Sequence, residues 1–182
     1  MTRDSDSAKS VNYIIKAENS LRIAKIAAEQ GAYDNAVMSA IHSAINALDA
    51  LTSFHLNKRS SGAHSSVFSL IKGILADRDY KDVERQFKLL LSLKNVSEYQ
   101  PILMSLKDAQ DSIKSAERIL AKVKAKTTLD IIKKLEKIGI IKKTAGKTAM
   151  YQLNLLSPIT KSIKKLAFEI ASKRINKILA KR

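Results

Sequence analysis

The chain contains no cysteine and no tryptophan, and it has only five glycines and two prolines in 182 residues. The absence of cysteine excludes disulfide bonds and thiolate zinc sites, and it agrees with a reducing compartment. Helix-breaking residues are rare, while alanine, isoleucine, leucine and lysine are abundant. This composition predicts a mainly helical protein.

Long apolar runs are also missing. No uninterrupted apolar segment approaches the roughly 20 residues that span a bilayer. The opening residues MTRDSDSAKS lack the apolar region of a signal peptide. We therefore expect a soluble, cytoplasmic protein that has no membrane partner.

Acidic residues are scarce in the last third of the chain. Residues 1–126 contain 19 Lys and Arg against 14 Asp and Glu, a net charge of +5. Residues 127–182 contain 14 against 3, a net charge of +11. Such a density of positive charge favours a polyanionic partner, nucleic acid before an anionic membrane surface. A solvated lysine-rich surface is the structural alternative.

Apolar residues at helical spacing predict five helices in the first part of the chain. A stripe of small residues on the second helix, Ser39, Ser43, Ala47 and Ala50, predicts close antiparallel packing against a neighbour. A loop is expected at 95–101, and acidic residues from Asp77 onward open the fourth helix, where negative charge suits a helix N-terminus. The five predicted helices, 8–30, 33–56, 64–76, 80–94 and 102–126, form an up-and-down bundle.

The character of the chain changes at about Lys126, so we expect two domains, 1–126 and 127–182. A short basic helix at 128–138 is followed by two short strands, 140–143 and 150–153, around a basic turn. Ser157 and Pro158 are suited to begin a last helix, 158–180.

The run LEKIGIIKKTAGKTAMYQLN resembles the second half of a winged helix-turn-helix domain. The resemblance implies a recognition helix at 127–138 and a wing from Lys142 to Thr148. Two further helices normally precede the recognition helix, and here only the end of the fifth bundle helix is available. The residues expected to bind nucleic acid in this segment are Lys133, Lys134, Lys137, Lys142, Lys143 and Lys147.

The stretch FHLNKRSSGAHSSVF, from Phe54 to Phe68, interrupts two helices with an arginine and a histidine. On a continuous helix Arg59 and His64 would point to different faces, but Ser60, Ser61 and Gly62 favour a turn that lets them converge. An imidazole can move a proton near neutral pH, and a guanidinium can hold developing charge on phosphorus. The alternative is structural: Arg59 caps the second helix and His64 begins the third.

The first 126 residues resemble the HEPN family of small helical bundles. Three segments carry the resemblance: YDNAVMSAIHSAINALDAL at 33–51, RSSGAH at 59–64 and KNVSEY at 94–99. Arg, then four to six residues, then His is the signature of metal-independent ribonuclease activity in that family. The resemblance implies that Arg59 and His64 are catalytic and that the domain dimerises so that two motifs face one cleft. Further expected contacts are Lys58, Ser60 and Ser61 with phosphate, and Lys94, Asn95 and Tyr99 along the cleft.

These observations lead to a predicted fold and to two hypotheses of function. The fold is mainly α, a HEPN-like up-and-down bundle with a small winged-helix-like α+β appendage. The first hypothesis is a ribonuclease of a toxin–antitoxin pair, without metal or cofactor, which acts on RNA as a homodimer. The second is a non-catalytic protein: a dimeric DNA-binding regulator, or a HEPN protein that binds a nucleotide or a partner. A cognate antitoxin or a nucleotidyltransferase is the expected protein partner.

Overall fold

The computed structural model describes residues 2–60, 66–144 and 150–179, with the backbone alone at residue 99 and at 174–179. The chain divides into two compact units, Met1–Thr127 and Thr128–Arg182. Helices dominate both units of the described chain, as the composition predicts.

The first unit is built on an antiparallel pair of helices, α1 (Ser10–Glu29) and α2 (Tyr33–Leu56). Gly31, with φ of +77°, makes the turn between them, because glycine takes positive φ without steric cost. The Ser43 hydroxyl donates a 2.8 Å hydrogen bond to the carbonyl of Ala17. Both predicted helices and their close packing are confirmed.

Six further elements follow or precede this pair in the described part of the unit. A strand, β1 (Thr2–Asp4), and a 3₁₀-helix (Ser7–Lys9) precede α1. A second strand, β2 (Lys58–Ser60), follows α2 and pairs with β1. Three helices then follow: α3 (Val67–Ile71), α4 (Asp77–Tyr99) and α5 (Leu106–Lys137).

Three predicted boundaries are wrong. Within the described residues, the third helix spans only five residues, because the chain turns after Ile71. The Ile71 carbonyl accepts hydrogen bonds from the N–H groups of both Ile74 and Leu75. The loop expected at 95–101 is helix as far as Tyr99, where an ion pair between Lys94 and Glu98 supports the last turns. The fifth helix does not end at 126 as predicted but continues to Lys137, since no glycine or proline interrupts it near 127.

The core of this unit lies between α2, α4 and α5. Three alanines, Ala24, Ala40 and Ala116, form a contact between α1, α2 and α5, and each is fully buried. Small side chains at this junction let three helices approach closely. A separate and larger core cluster holds the largest fully buried apolar side chains: Val37, Ile41, Leu48, Leu51, Ile71, Val83, Phe87, Leu90, Ile119 and Val123.

The second unit holds the end of α5, a hairpin of β3 (Ile141–Thr144) and β4 (Met150–Leu153), and α6 (Pro158–Leu179). The predicted strands and last helix are therefore confirmed, whereas the separate short helix at 128–138 is the continuation of α5. The apolar side of α6 is exposed, at 44% for Ile159, 49% for Ile163, 57% for Leu166 and 46% for Ile170. In the part of the chain that the structure describes, no helix is long and apolar enough to cross a membrane.

The contact between Ala24, Ala40 and Ala116 predicts that a larger side chain at this position destabilises the protein. Ala116→Leu should lower the free energy of unfolding by about 1–3 kcal/mol, because the added atoms have no room between three helices. Ala121, on the same helix, is exposed, so Ala121→Leu should change it by less than about 0.5 kcal/mol. Urea denaturation followed by circular dichroism measures both. Equal stability of the two variants would contradict the tight junction.

Candidate functional site

The path of the chain after α2 determines where Arg59 lies. Asn57 adopts a left-handed conformation, with φ of 52°, and its N–H donates to the carbonyl of Ser53 at 3.1 Å. Asparagine tolerates this conformation better than most residues. Asn57 therefore ends the helix as its C-cap, and Arg59 lies two residues beyond it, in β2.

Strand β2 is held in place by the N-terminal segment. Strand β1 pairs with it antiparallel, and Arg3 lies directly opposite Arg59. The Ser5 N–H donates to the Asn57 carbonyl at 2.8 Å, and the Ser53 hydroxyl donates to the Ser5 hydroxyl at 2.8 Å. These bonds fasten the base of the ribbon to the end of α2. Arg59 thus lies on a paired strand, immediately before the predicted turn at Ser60, Ser61 and Gly62, and the sequence did not predict this strand.

A buried carboxylate accompanies Arg59. Asp49 on α2 is only 8% exposed, and burial raises the pKa of this carboxyl to about 6, although the nearby positive charge of Arg59 lowers it. Desolvation disfavours the charged carboxylate and an adjacent guanidinium favours it. Asp49 can therefore change its charge near neutral pH, beside the arginine of the motif.

Sequence reasoning missed Asp49. The signal was present, because this acid stands four residues after Ile45 and one after Leu48, within a stretch, 47–54, that is otherwise apolar or small. An acid at such a position is unusual unless it has a partner. The positive charge that acts on Asp49, that of Arg59, lies ten residues further along the chain, and the turn at Asn57 brings it back.

The two described residues that flank 61–65 contact one another. The Ser60 and Ser66 hydroxyl oxygens lie 2.5 Å apart. A small pocket of about 10 Å³ opens beside them, and its lining includes Asp49. Ser61 and His64 lie outside the described residues. The pocket is lined by Ile45, Leu48, Asp49, Ser60, Val67 and Phe87.

The other bundle residues expected at the site have different surroundings. Lys58 is exposed and lies opposite Asp4 in the ribbon. Lys94 is paired with Glu98, and its side chain is only 19% exposed. Asn95 is exposed on α4 and Tyr99 is the last residue of that helix, so neither belongs to the predicted loop.

The basic residues expected in the second unit lie on its surface. Lys133, Lys134 and Lys137 are exposed on α5, and Lys142 and Lys143 are exposed on β3. Lys147 lies outside the described residues. Among the residues that the structure does describe, no group of three or more His, Asp and Glu side chains is arranged to hold a metal ion.

The raised pKa of Asp49 predicts a pH-dependent stability. The folded protein binds this proton more tightly than the unfolded chain, so stability is lost as pH rises from about 4 to about 6. The full difference corresponds to about 3 kcal/mol. Asp49→Asn should therefore gain stability over the wild type as pH rises through this window, measured by urea denaturation at pH 4, 5, 6 and 7. Glu29→Gln, at an exposed position, is the control, and a constant difference between Asp49→Asn and wild type would contradict the assignment.

Comparison with known proteins identifies the family and the fold of the helical bundle. The model of the HEPN domain matches residues 11–126. The fold is similar to that of TT1696 from Thermus thermophilus, at 22% identity and a TM-score of 0.54 over 65% of this chain and 98% of that one. It is also similar to ST0689, an archaeal HEPN homologue, at 24% identity and a TM-score of 0.51 over 64% of this chain and 95% of that one. No curated protein shows significant sequence similarity to the chain. Since the family model covers more than half of the sequence, the chain belongs to the HEPN domain family.

Proposed function

We propose that the protein is a metal-independent endoribonuclease, the toxin of a toxin–antitoxin pair, with a basic C-terminal module that binds nucleic acid. The observation that carries this proposal is the position of Arg59. It lies on a paired strand beside the buried Asp49, within a HEPN bundle and five residues before His64. A guanidinium next to a histidine segment is suited to phosphodiester chemistry.

The proposed reaction is an internal transfer at phosphorus. A His64 imidazole takes the proton of the ribose 2′-hydroxyl, whose oxygen attacks the adjacent phosphorus. The bond to the 5′-oxygen breaks, that oxygen receives a proton, and a 2′,3′-cyclic phosphate and a 5′-hydroxyl end are formed. Arg59 stabilises the charge that grows on the non-bridging oxygens, using donors that match two of them.

A homodimer supplies the two proton-transfer groups. The reaction needs a base for the 2′-hydroxyl and an acid for the leaving oxygen, and each chain has one histidine in the motif. Two motifs that face one cleft would provide both. The contact between Ser60 and Ser66 joins the two described residues that flank the segment with His64 in the sequence.

Asp49 has a supporting role in this proposal. When ionised, its carboxylate attracts the Arg59 guanidinium and restricts its orientation. Because the carboxyl is buried, its charge acts in surroundings of low dielectric constant, where an ion pair is stronger than in water. Asp49 is a positioning residue, since it acts through Arg59.

The remaining cationic and polar residues contribute to substrate binding. Lys58, Ser60 and Ser61 contact phosphate, and Asn95 and Tyr99 line the cleft. Lys94 contributes less charge than the others, because Glu98 already pairs with it. A cognate antitoxin or nucleotidyltransferase is the protein partner that would control this activity.

Cleavage of RNA in the presence of EDTA tests the catalytic proposal. Wild-type protein should cleave a single-stranded RNA, and Arg59→Ala and His64→Ala should each lower the rate by about 100-fold or more. The products should carry 2′,3′-cyclic phosphate and 5′-hydroxyl ends, identified by mass spectrometry. Activity that survives both substitutions would exclude this site.

Matched controls separate catalysis from folding. Arg22 and His42 are exposed on α1 and α2, so Arg22→Ala and His42→Ala should keep the wild-type rate. All four variants should keep the wild-type circular dichroism spectrum and the same molar mass in solution. A loss of activity in His42→Ala equal to that in His64→Ala would contradict the assignment.

A second candidate function is favoured by the surface of the C-terminal unit. Five exposed lysines lie on the end of α5 and on β3, next to a β-hairpin and a following helix. In this alternative the bundle dimerises a winged-helix-like segment that binds duplex DNA. The end of α5 would then serve as the recognition helix, as the continuation of a bundle helix.

The salt dependence of DNA binding tests this alternative. If Lys133, Lys137 and Lys142 contact phosphate, replacing any of them with Ala should reduce the slope of log affinity against log salt by about 0.9. Lys107 is exposed on the same helix within the bundle unit, and Lys107→Ala should leave the slope unchanged. Fluorescence anisotropy with a labelled duplex gives the slopes. A flat salt dependence of the wild type would exclude the regulator.

A further inference from the structure

The ribbon of β1 and β2 has two faces of different charge. In an antiparallel pair, residues directly opposite one another project to the same side, and neighbours along a strand alternate. Asp4 and Lys58 are opposite one another, so one face carries a pair of opposite charges. Arg3 and Arg59 are opposite one another, so the other face carries two guanidinium groups.

Two like charges in this position destabilise the ribbon. Side chains directly opposite one another start about 5 Å apart at their Cβ atoms, and like charges there are unfavourable. Arg3 is exposed and Arg59 is partly buried. Asp4, the acid next to Arg3 in the sequence, projects to the other side of the ribbon with Lys58. Of the two arginines, Arg59 is the one whose charge acts on the buried Asp49.

An anion between the two guanidinium groups removes this repulsion. Each guanidinium presents a planar fork of N–H donors that matches two phosphate oxygens. A phosphodiester has two non-bridging oxygens that share one negative charge, so two forks from opposite sides can contact it together. The ribbon is fastened to α2 through Ser5 and Asn57, which keeps both arginines at a set spacing.

We propose that Arg3 and Arg59 form a two-arginine clamp for one backbone phosphate of single-stranded RNA. Arg3 is thus a substrate-binding residue that belongs to a different part of the sequence from the motif. The identification of the anion as an RNA phosphate rests on the proposed function. The pairing of the two arginines rests on the register of β1 and β2.

The test measures binding separately from cleavage. A fluorescent single-stranded RNA with 2′-O-methyl groups has no 2′-hydroxyl to react, so its anisotropy reports binding alone. Arg3→Ala should raise its Kd roughly 10-fold and reduce the slope of log affinity against log salt by about 0.7. Lys9→Ala removes the same charge from an exposed position six residues away and should change Kd less than about 2-fold.

Two further variants identify a shared phosphate. If both arginines hold the same group, Arg3→Ala in an Arg59→Ala background should raise Kd by much less than it does in the wild type. Arg3→Lys should be intermediate, because it keeps the charge and loses the fork. Equal effects of Arg3→Ala in both backgrounds would overturn the clamp.

A thermal unfolding experiment separates binding from a structural role of Arg3. Without RNA, Arg3→Ala should melt at the same temperature as the wild type or higher, because a repulsion has been removed. A lower melting temperature, or a Kd no more affected than by Lys9→Ala, would overturn the proposal. If the clamp is found and unmodified RNA is not cleaved, the catalytic proposal fails and the phosphate site stands. If the binding tests overturn the clamp and cleavage still depends on Arg59 and His64, the clamp fails and the catalytic proposal stands.

Discussion

The close approach of α1 to α2 is the constraint on which the rest of the first unit depends. Small side chains at Ala17, Ala24, Ala40 and Ser43 let the two helices pack tightly, and α5 joins them at Ala116. Helices α3 and α4 and strand β2 also contact α2, and every residue from 47 to 53 is buried. Seven consecutive buried residues span about two helical turns, so no face of α2 is exposed there. An acidic residue in this stretch has to be buried too.

That enclosure gives Asp49 its properties. Burial raises the pKa of its carboxyl more strongly than the Arg59 charge lowers it, so the group carries a proton more readily than an exposed aspartate. The same helix end directs the chain into β2, where Arg59 is held by pairing with β1. Bundle packing and the candidate site are therefore linked, because one helix buries the acid and positions the arginine. The proposed chemistry uses this pair, with His64 from the segment that follows.

The C-terminal unit has a different physical character. Its excess of lysine and arginine is spread over α5, the hairpin and α6, and the apolar side of α6 is exposed. Helix α5 belongs to both units of the chain, since it runs from Leu106 to Lys137. In the proposed functions this unit binds nucleic acid through its lysines. Because α5 is continuous, the predicted fifth helix and the predicted short helix at 128–138 are one helix in the described chain.

The sequence by itself determined the helical class, the HEPN family, both helices of the antiparallel pair, the C-terminal hairpin and last helix, and the excess of positive charge. These features depend on local periodicity, turn residues and composition, which are read along the chain. The ends of the third and fifth helices were mispredicted. Tertiary contacts and the absence of glycine or proline near Lys126 outweigh weak local preferences there. Only the tertiary structure decided that Asp49 lies near Arg59 and that Arg3 lies opposite Arg59 in the ribbon. Both pairings join residues whose spacing carries no periodic signal, and they exist because α2 ends in a left-handed residue and β1 returns to pair with β2.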